Sequence, residues 1–539
     1  MKKAVSIFLS LLLAVGTFSF AGCQKQEKPK NSDYIDAINI HLSDEAITVN
    51  GEAISTDETQ AVYASNDIIY YEEGHDFTYG EGTKEDEHTK EEADAHTVIN
   101  ITKPGMYAVT GKVSAGQLAI DLGEDAVTDP EAVVDLILNG ADITCTVAPA
   151  VIFYNVYECG EKDENTASCN VNTSKAGANI IVADNTVNNI NGSYVARIYK
   201  EYTLNDEGTE VVDSKKLHKY DGAFYSRMSM NINSGAEDSG VLNINAENEG
   251  LDSELHLTIY GGNINIVSGN DGINTNEDNI SVTTINGGNI NITVDGSTGE
   301  GDGIDSNGWL VINGGSLSAW ACSSSGDAGI DSDKGIHING GSVYASGNML
   351  DRIEEGGINY AVFSFNSRQK GGSTYSLRNA EKEILFTCDP INDFTNLIIA
   401  NESLEEADYT FWQGDTQLAA TAGNFGGMGG GMMKPVGEIP EDFSMPEGMI
   451  SPEGFNNKGN MQKPEGEIPE DFSIPEGMQK PEKQPPEGMQ PPEMPEGEFD
   501  PGKIPGGRQP ASDMSAGEIS TEFIINKGGN YFSNVTPAE

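Results

Sequence analysis

Carboxylates at a repeated spacing are the most chemically suggestive feature of this sequence. A Gly-Ile-Asp/Asn marker (Leu for Ile in the first copy) recurs at residues 250–252, 272–274, 303–305 and 329–331, and more weakly at 357–359. Aligned on it, Glu249, Asp271 and Asp302 fall in one column, with Asp327 one residue out of step. Asp252, Asn274, Asp305 and Asp331 fall in the next, and Glu254, Asn276, Asn307 and Asp333 beyond it. Carboxylates about 5 Å apart repel by about 3 kcal/mol per pair at an effective dielectric of 20. A hard divalent cation that gathers about six to eight oxygens removes that cost. Glu249, Asp252, Asp271, Asp302, Asp305, Asp327, Asp331 and Asp333 are therefore candidate ligands for calcium (Ca2+). Magnesium fits less well, because it demands stricter geometry and keeps its waters. The alternative is an Asp/Asn hydrogen-bonding ladder that needs no metal.

The elements that must position these acids follow from a second periodicity. Paired glycines at 261–262, 287–288, 314–315 and 340–341 are spaced by 26, 27 and 26 residues. A fixed period of this length indicates stacked coils. The segments between glycines are short and alternate apolar with polar, which is strand periodicity, and none is long enough for a helix. Like residues then form interior columns: Leu257, Thr283, Leu310 and Ile336; Ile259, Ile285, Ile312 and Ile338; Ile264, Ile290, Leu317 and Val343. The predicted fold class is all-β, a parallel β-helix. By the same parity Tyr260, Trp309, Trp320 and Tyr344 point outward, where aromatic faces could dock the C–H faces of sugars. They could equally lie beneath residues 374–423, which also read as strands.

Charge and composition restrict the partner. The chain has 539 residues, with 85 acidic against 31 basic side chains and a formal charge of −54. That excludes a phosphate backbone as the main ligand, since nucleic-acid binding needs a basic stripe. An anionic membrane surface is disfavoured for the same reason, and cations or neutral and divalent-bridged polymers are favoured. Between residues 241 and 350 the only Lys or Arg is Lys334.

The ends and insertions divide the chain further. Residues 1–23 read as a bacterial lipoprotein signal, with Lys2 and Lys3, an apolar run from Val5 to Phe20, and Cys23 as the lipidated residue. The expected location is extracellular, held to the cell membrane only by that lipid. Residues 24–96 read as a tether and N-terminal strands with an acidic loop. That loop holds His75, His88 and His96 among Glu85, Glu87, Glu91 and Glu92, without metal-ligand spacing, and reads as solvated. Residues 97–365 are the expected coils, 366–423 a small C-terminal β cap, and 516–539 a terminal strand. Residues 424–515 form a low-complexity insertion rich in Pro, Met, Gly and Glu: residues 424–510 hold 16 of the 22 prolines. So many prolines block helices and ladders, and the segment is expected to be disordered. Cys145, Cys159, Cys169, Cys322 and Cys388 form no CxxC pair, and Cys159 and Cys169 could bridge or stay free.

Residues 101–111, residues 221–226 and the Asp-Gly-Ile turns at Asp271 and Asp302 together resemble one family. This is the family of secreted bacterial carbohydrate-binding β-helix proteins described from cellulose-degrading clostridia, and the resemblance covers roughly residues 93–423 and the last strand. It implies a right-handed parallel β-helix, calcium at the turns, binding to cellulose and acidic pectic polymers, and no established catalysis. A monomer that binds plant-type polysaccharide is the expectation, with Tyr260, Trp309, Trp320 and Tyr344 as carbohydrate contacts. Two other classes compete. One is a pectate-lyase-like enzyme, for which only Lys334, Arg352 and Arg227 offer bases near the coils. The other is a structural stalk or adhesin.

Overall fold

The computed structural model describes residues 34, 36–160, 162–423 and 518–538. Its strands stack as three ladders of parallel pairs. The first runs through Thr97–Ile101, Gly116–Asp121, Val151–Asn155, Gly222–Ser226, Glu249–Ser253, Ile273–Thr275 and Ile304–Ser306. The second includes Met230–Ser234, His256–Ile259, Val282–Ile285, Trp309–Ile312 and Gly335–Ile338. The third includes Val241–Ala246, Asn263–Ser268, Asn289–Val294, Ser316–Trp320 and Ser342–Gly347. Each strand pairs with its equivalent one repeat later, so the glycine period is the register. Earlier in the chain the long strand Val134–Cys145 serves the second and third ladders at once.

The paired glycines explain the turns between the second and third ladders. The second glycine of each pair has positive φ, from 98° at Gly262 to 76° at Gly341, a region that L side chains rarely adopt. The first glycine sits against the preceding coil. A Cβ on Gly340 would lie 2.5 Å from the Asn313 carbonyl oxygen. Any other residue there would push the coils apart.

The three interior columns predicted above coincide with the observed register. Every member is buried. Each such aliphatic side chain contributes about 1.5–3 kcal/mol relative to exposure. Thr283, the one polar member of its column, is satisfied by the Thr275 hydroxyl at 3.1 Å.

The parallel order ends at Ser342–Gly347, which pairs antiparallel with Phe394–Asn401. From there Tyr360–Gln369, Tyr375–Arg378, Ile384–Cys388, Ala407–Gln413, Thr416–Gly423, Phe523–Ile525 and Gly529–Pro537 build a mixed sheet. It encloses a second core in which Phe363 stacks on Phe411 at 3.7 Å and on Phe532 at 5.1 Å. A strand covering the last coil also removes an open sheet edge, a site of unwanted pairing.

Helix is almost absent from the described residues, and the acidic loop leaves Glu85, Glu91 and Glu92 exposed, but one short helical piece sets His96 apart from the solvated expectation. Lys90–Asp94 is helical, opened by a Thr89/Glu92 capping box. His96 follows it and is buried. Its Nδ1 donates to the Glu92 carbonyl at 2.8 Å, and its Nε2 accepts from the Thr146 N–H at 3.2 Å. The five cysteines from Cys145 to Cys388 are all free thiols. Cys23, the tether up to residue 33 and the low-complexity insertion lie outside the described residues.

Candidate metal centre and carbohydrate-binding faces

The first ladder and the turn before it hold the carboxylates in a row along the stack. Register places Asp252 beside Asn274 and Asn274 beside Asp305, and the Asp331 N–H donates to the Ile304 carbonyl at 2.8 Å. In the neighbouring column Asp271 and Asp302 each cap the backbone of the next coil. Asp271 accepts from the Asp302 N–H at 2.7 Å, and Asp302 accepts from the Ala328 N–H at 2.6 Å. Strand regularity therefore fixes these acids; their own chemistry opposes the arrangement.

Toward the later coils, Asp302, Asp305 and Asp331 converge, with one carboxylate oxygen from each lying within 4.8 Å of the others. Asp302 is buried, whereas Asp305 and Asp331 are half-buried. Burial pushes the Asp302 carboxyl well above the usual range, reinforced by Asp271, Asp331, Asp305 and Asp327. All four of those neighbours are acids. Next to the trio, burial and Asp331 push Asp351 up to about 7. Three hard oxygen donors, partly open to solvent and mutually repelling, suit a calcium ion better than a softer metal.

Toward the earlier coils the same row is settled differently. Asn274 donates to Glu249 Oε1 at 3.0 Å, and Asn276 donates to Asp252 Oδ1 at 2.5 Å. Arg197 Nη2 donates to Asp221 Oδ2 at 2.8 Å, Lys219 lies 3.6 Å from Glu254, and Tyr225 donates to Glu254 at 2.8 Å. Glu249 and Asp252 are buried. Desolvation raises both carboxyls, Asp221 and Glu249 being the next contributors respectively, while Arg197 acts against the rise at Glu249 and Lys219 at Asp252. Glu249 Oε2 and Asp252 Oδ2 have no hydrogen-bond partner among the described residues.

The proposed ligands thus separate. The structure brings Asp302, Asp305 and Asp331 together, beside Asp271. Glu249 and Asp252 lie at the other end of the row. Asp327 is turned to the Gly301 N–H at 2.6 Å and to the Ser325 hydroxyl, and Asp333 is exposed outside the trio. Residues that sequence reasoning passed over are Arg197, Lys219, His218 and Tyr220, which fold back over the early end. His218 stacks on Tyr220 at 4.4 Å. Of the bases considered for a lyase, Arg352 is paired with Glu354, Arg227 donates to Asn155 at 3.2 Å, and Lys334 is exposed.

The aromatic candidates divide in the same way. Trp320 is not a surface platform: it is buried in the second core with Phe363 and Phe394. Tyr344 is partly buried against that core, and desolvation raises its pKa. Strand parity sends both outward from the coils, but the C-terminal sheet covers that outside. Trp309 and Tyr260, on the second ladder's side, remain half-exposed.

A solved structure described as "Structure of the polysaccharide lyase-like protein from C. thermocellum, Gadolinium derivative" is similar over 59% of this chain and 98% of its own, at 20% identity and a TM-score of 0.32. No curated protein matches the chain. Residues 95–354, which contain the parallel ladders and the carboxylate row, match the family model described as "Carbohydrate-binding domain-containing protein".

Proposed function

We propose that this chain is an extracellular polysaccharide-binding protein, tethered through lipid on Cys23, that uses calcium at its stacked turns. In this reading the three ladders close into a right-handed parallel β-helix. Asp302, Asp305 and Asp331 would hold the calcium, with Asp271 in reach. The supporting observation is that the segment matching the carbohydrate-binding family model also carries this carboxylate trio.

The chain's charge of −54 repels a polyanion such as polygalacturonate. Calcium among partly open carboxylates supplies the attraction, because the ion takes more oxygens than the trio provides and can share a uronate oxygen. Neutral cellulose needs no such bridge and would dock on half-exposed rings, of which Trp309 and Tyr260 remain available.

A paired pull-down on insoluble pectate and cellulose, with and without chelator, tests the reading. Pectate binding should vanish in chelator, and cellulose binding should fall in Trp309→Ala. Pectate binding that survives chelation in a folded protein would refute the bridge. Failure to bind any insoluble polymer would favour a stalk. Unsaturated sugar ends released from pectate would favour a lyase.

A further inference from the structure

The outer side of the third ladder carries no charge. Strands Val187–Gly192, Val241–Ala246, Asn263–Ser268 and Asn289–Val294 pair there in parallel register. Ile244, Ile266 and Ile292 point into the core, so the alternate residues face outward. Asn189, Asn243, Asn265 and Asn291 form the central outward column, and the columns on either side consist of Asn, Val and Thr. No acid or base occurs among them, on a chain of charge −54. The central column is a hydrogen-bonded ladder: Asn243 donates to Asn189 Oδ1 at 2.9 Å, Asn265 to Asn243 at 2.9 Å, and Asn291 to Asn265 at 3.0 Å. A side-chain amide has two N–H groups and two lone pairs. Asn243 and Asn265 therefore each keep one N–H and one lone pair beyond the ladder. Val187, Asn245, Val267 and Asn289 are exposed, whereas in later coils the C-terminal sheet covers this side at Trp320 and Tyr344.

Where these strands end, the face meets a cavity of about 410 Å³. Ser193 and Glu247 line it, each two residues beyond an outward Asn, with Thr298 from the turn after Asn289–Val294. The rest of the wall includes Glu85 and Asp86 from the N-terminal acidic loop. The Tyr194 hydroxyl donates to Asp86, and the Glu81 N–H donates to the Arg197 carbonyl at 2.9 Å, so that loop is tied to the coils. Ser193 donates to Glu247 Oε2, and Oε1 takes no donor among the described residues. Glu85 and Glu247 are exposed, and neither Lys nor Arg lines the space. These acids do not converge as the Asp302 trio does. They stand round a space within the roughly 300–1,000 Å³ of organic-ligand pockets.

We propose that the amide face and the cavity at its edge form one docking site for a neutral glycan chain. Sugar hydroxyls meet the unused amide groups, C–H faces meet Val267 and its neighbours, and a sugar in the cavity donates hydroxyls to Glu247 and Glu85. A polyanion finds no cation on the face or in the cavity, and burying an unpaired charge is costly. A neutral chain incurs no such cost. The proposal rests on the polysaccharide-binding reading above and adds to it a site that needs no calcium and lies on a different ladder from Trp309.

The test is calorimetric titration of the full chain with a neutral cello-oligosaccharide in chelator, for wild type, Val267→Glu and Glu247→Ala. Both positions are exposed, and circular dichroism checks that each variant is folded. Affinity should fall at least about tenfold in Val267→Glu, through a charge buried beneath the chain, and about tenfold in Glu247→Ala, through a lost charged acceptor. Pectate binding in calcium should be unchanged in both. Undiminished oligosaccharide affinity in either folded variant would overturn the site, and an equal loss of pectate binding would overturn its assignment to a neutral chain. If the wild type binds no neutral oligosaccharide yet binds pectate in calcium, this site alone fails. Failure to bind either would sink the reading beneath it.

Discussion

The two ends of the carboxylate row face the same electrostatic problem and meet it with different means. At the early end, Glu249, Asp252 and Glu254 are served by fixed groups: the amides of Asn274 and Asn276, the ammonium of Lys219 and the guanidinium of Arg197 on Asp221. Carboxylates are the leading charges on the buried acids at both ends, but Arg197 and Lys219 offset part of their effect at Glu249 and Asp252, whereas the charges acting on Asp302 are four more carboxylates. A fixed cation makes an acid row part of the fold under all conditions. In the proposed reading a calcium ion from solution would do at the late end what the fixed cations do at the early end, so stability there would depend on the ion and the ion could also touch a ligand.

The largest expected effect separates the ends directly. If calcium binds the trio, about a thousandfold excess over its Kd would stabilise the late end by about 4 kcal/mol. Chelation should lower the unfolding midpoint accordingly, and magnesium should restore it poorly. Thermal or denaturant unfolding with verified metal removal checks this.

A second effect belongs to the early end. Desolvation beside the Arg197–Asp221 pair lowers the His218 pKa from 6.5 to about 4. The unfolded chain therefore binds the proton more readily than the folded one. The stability involved is fully present above pH 6.5 and is lost as the pH falls toward 4. At about 1.4 kcal/mol per pKa unit the loss approaches 3 kcal/mol. The drop in unfolding midpoint between pH 7 and pH 4 should shrink in His218→Phe, by the same amount with or without calcium. An identical pH dependence in the variant would remove His218 from the account.

Arg197→Met should cost about 2–3 kcal/mol, because Asp221 is then left largely buried and unpaired. That is below the 3–5 kcal/mol of a fully buried pair, since the Arg197 side chain keeps 37% of its exposure. Calcium should not repair the loss. A variant whose midpoint calcium restores would erase the distinction between the ends.

The smallest effect carries the sharpest sign. Asp305→Asn should destabilise the protein by roughly 1–2 kcal/mol in calcium, through a lost ligand, and stabilise it by roughly 1 kcal/mol in chelator, through relieved repulsion. Unfolding midpoints in the two buffers check it, and the same sign in both would count against a cation at the trio.

The columns were legible in the sequence because the paired glycines fix the repeat length, and in a parallel stack repeat length is register. Ile285 could be aligned with Ile312, and Asp305 with Asp331, by counting alone. What covers the outside was not legible. Parity sends Trp320 and Trp309 outward alike, but only the return of the strands from Tyr360 onward decides that Trp320 is buried while Trp309 stays half-exposed. Arg197 reaches Asp221 through a chain excursion containing the hairpin Tyr199–Leu204 and Val211–Lys216, which follows no repeat. The Thr89/Glu92 capping box was readable in principle but stood inside a run of acids that resembles a solvated loop.

The most direct test of the difference between the two ends is calorimetric calcium titration of the metal-stripped full chain, with wild type and Asp305→Asn in parallel. Binding in the wild type, and its loss or at least about tenfold weakening in a folded Asp305→Asn, is the predicted result. A wild type that takes up no calcium, or a variant that binds it with undiminished affinity, would contradict the assignment of a cation to Asp302, Asp305 and Asp331.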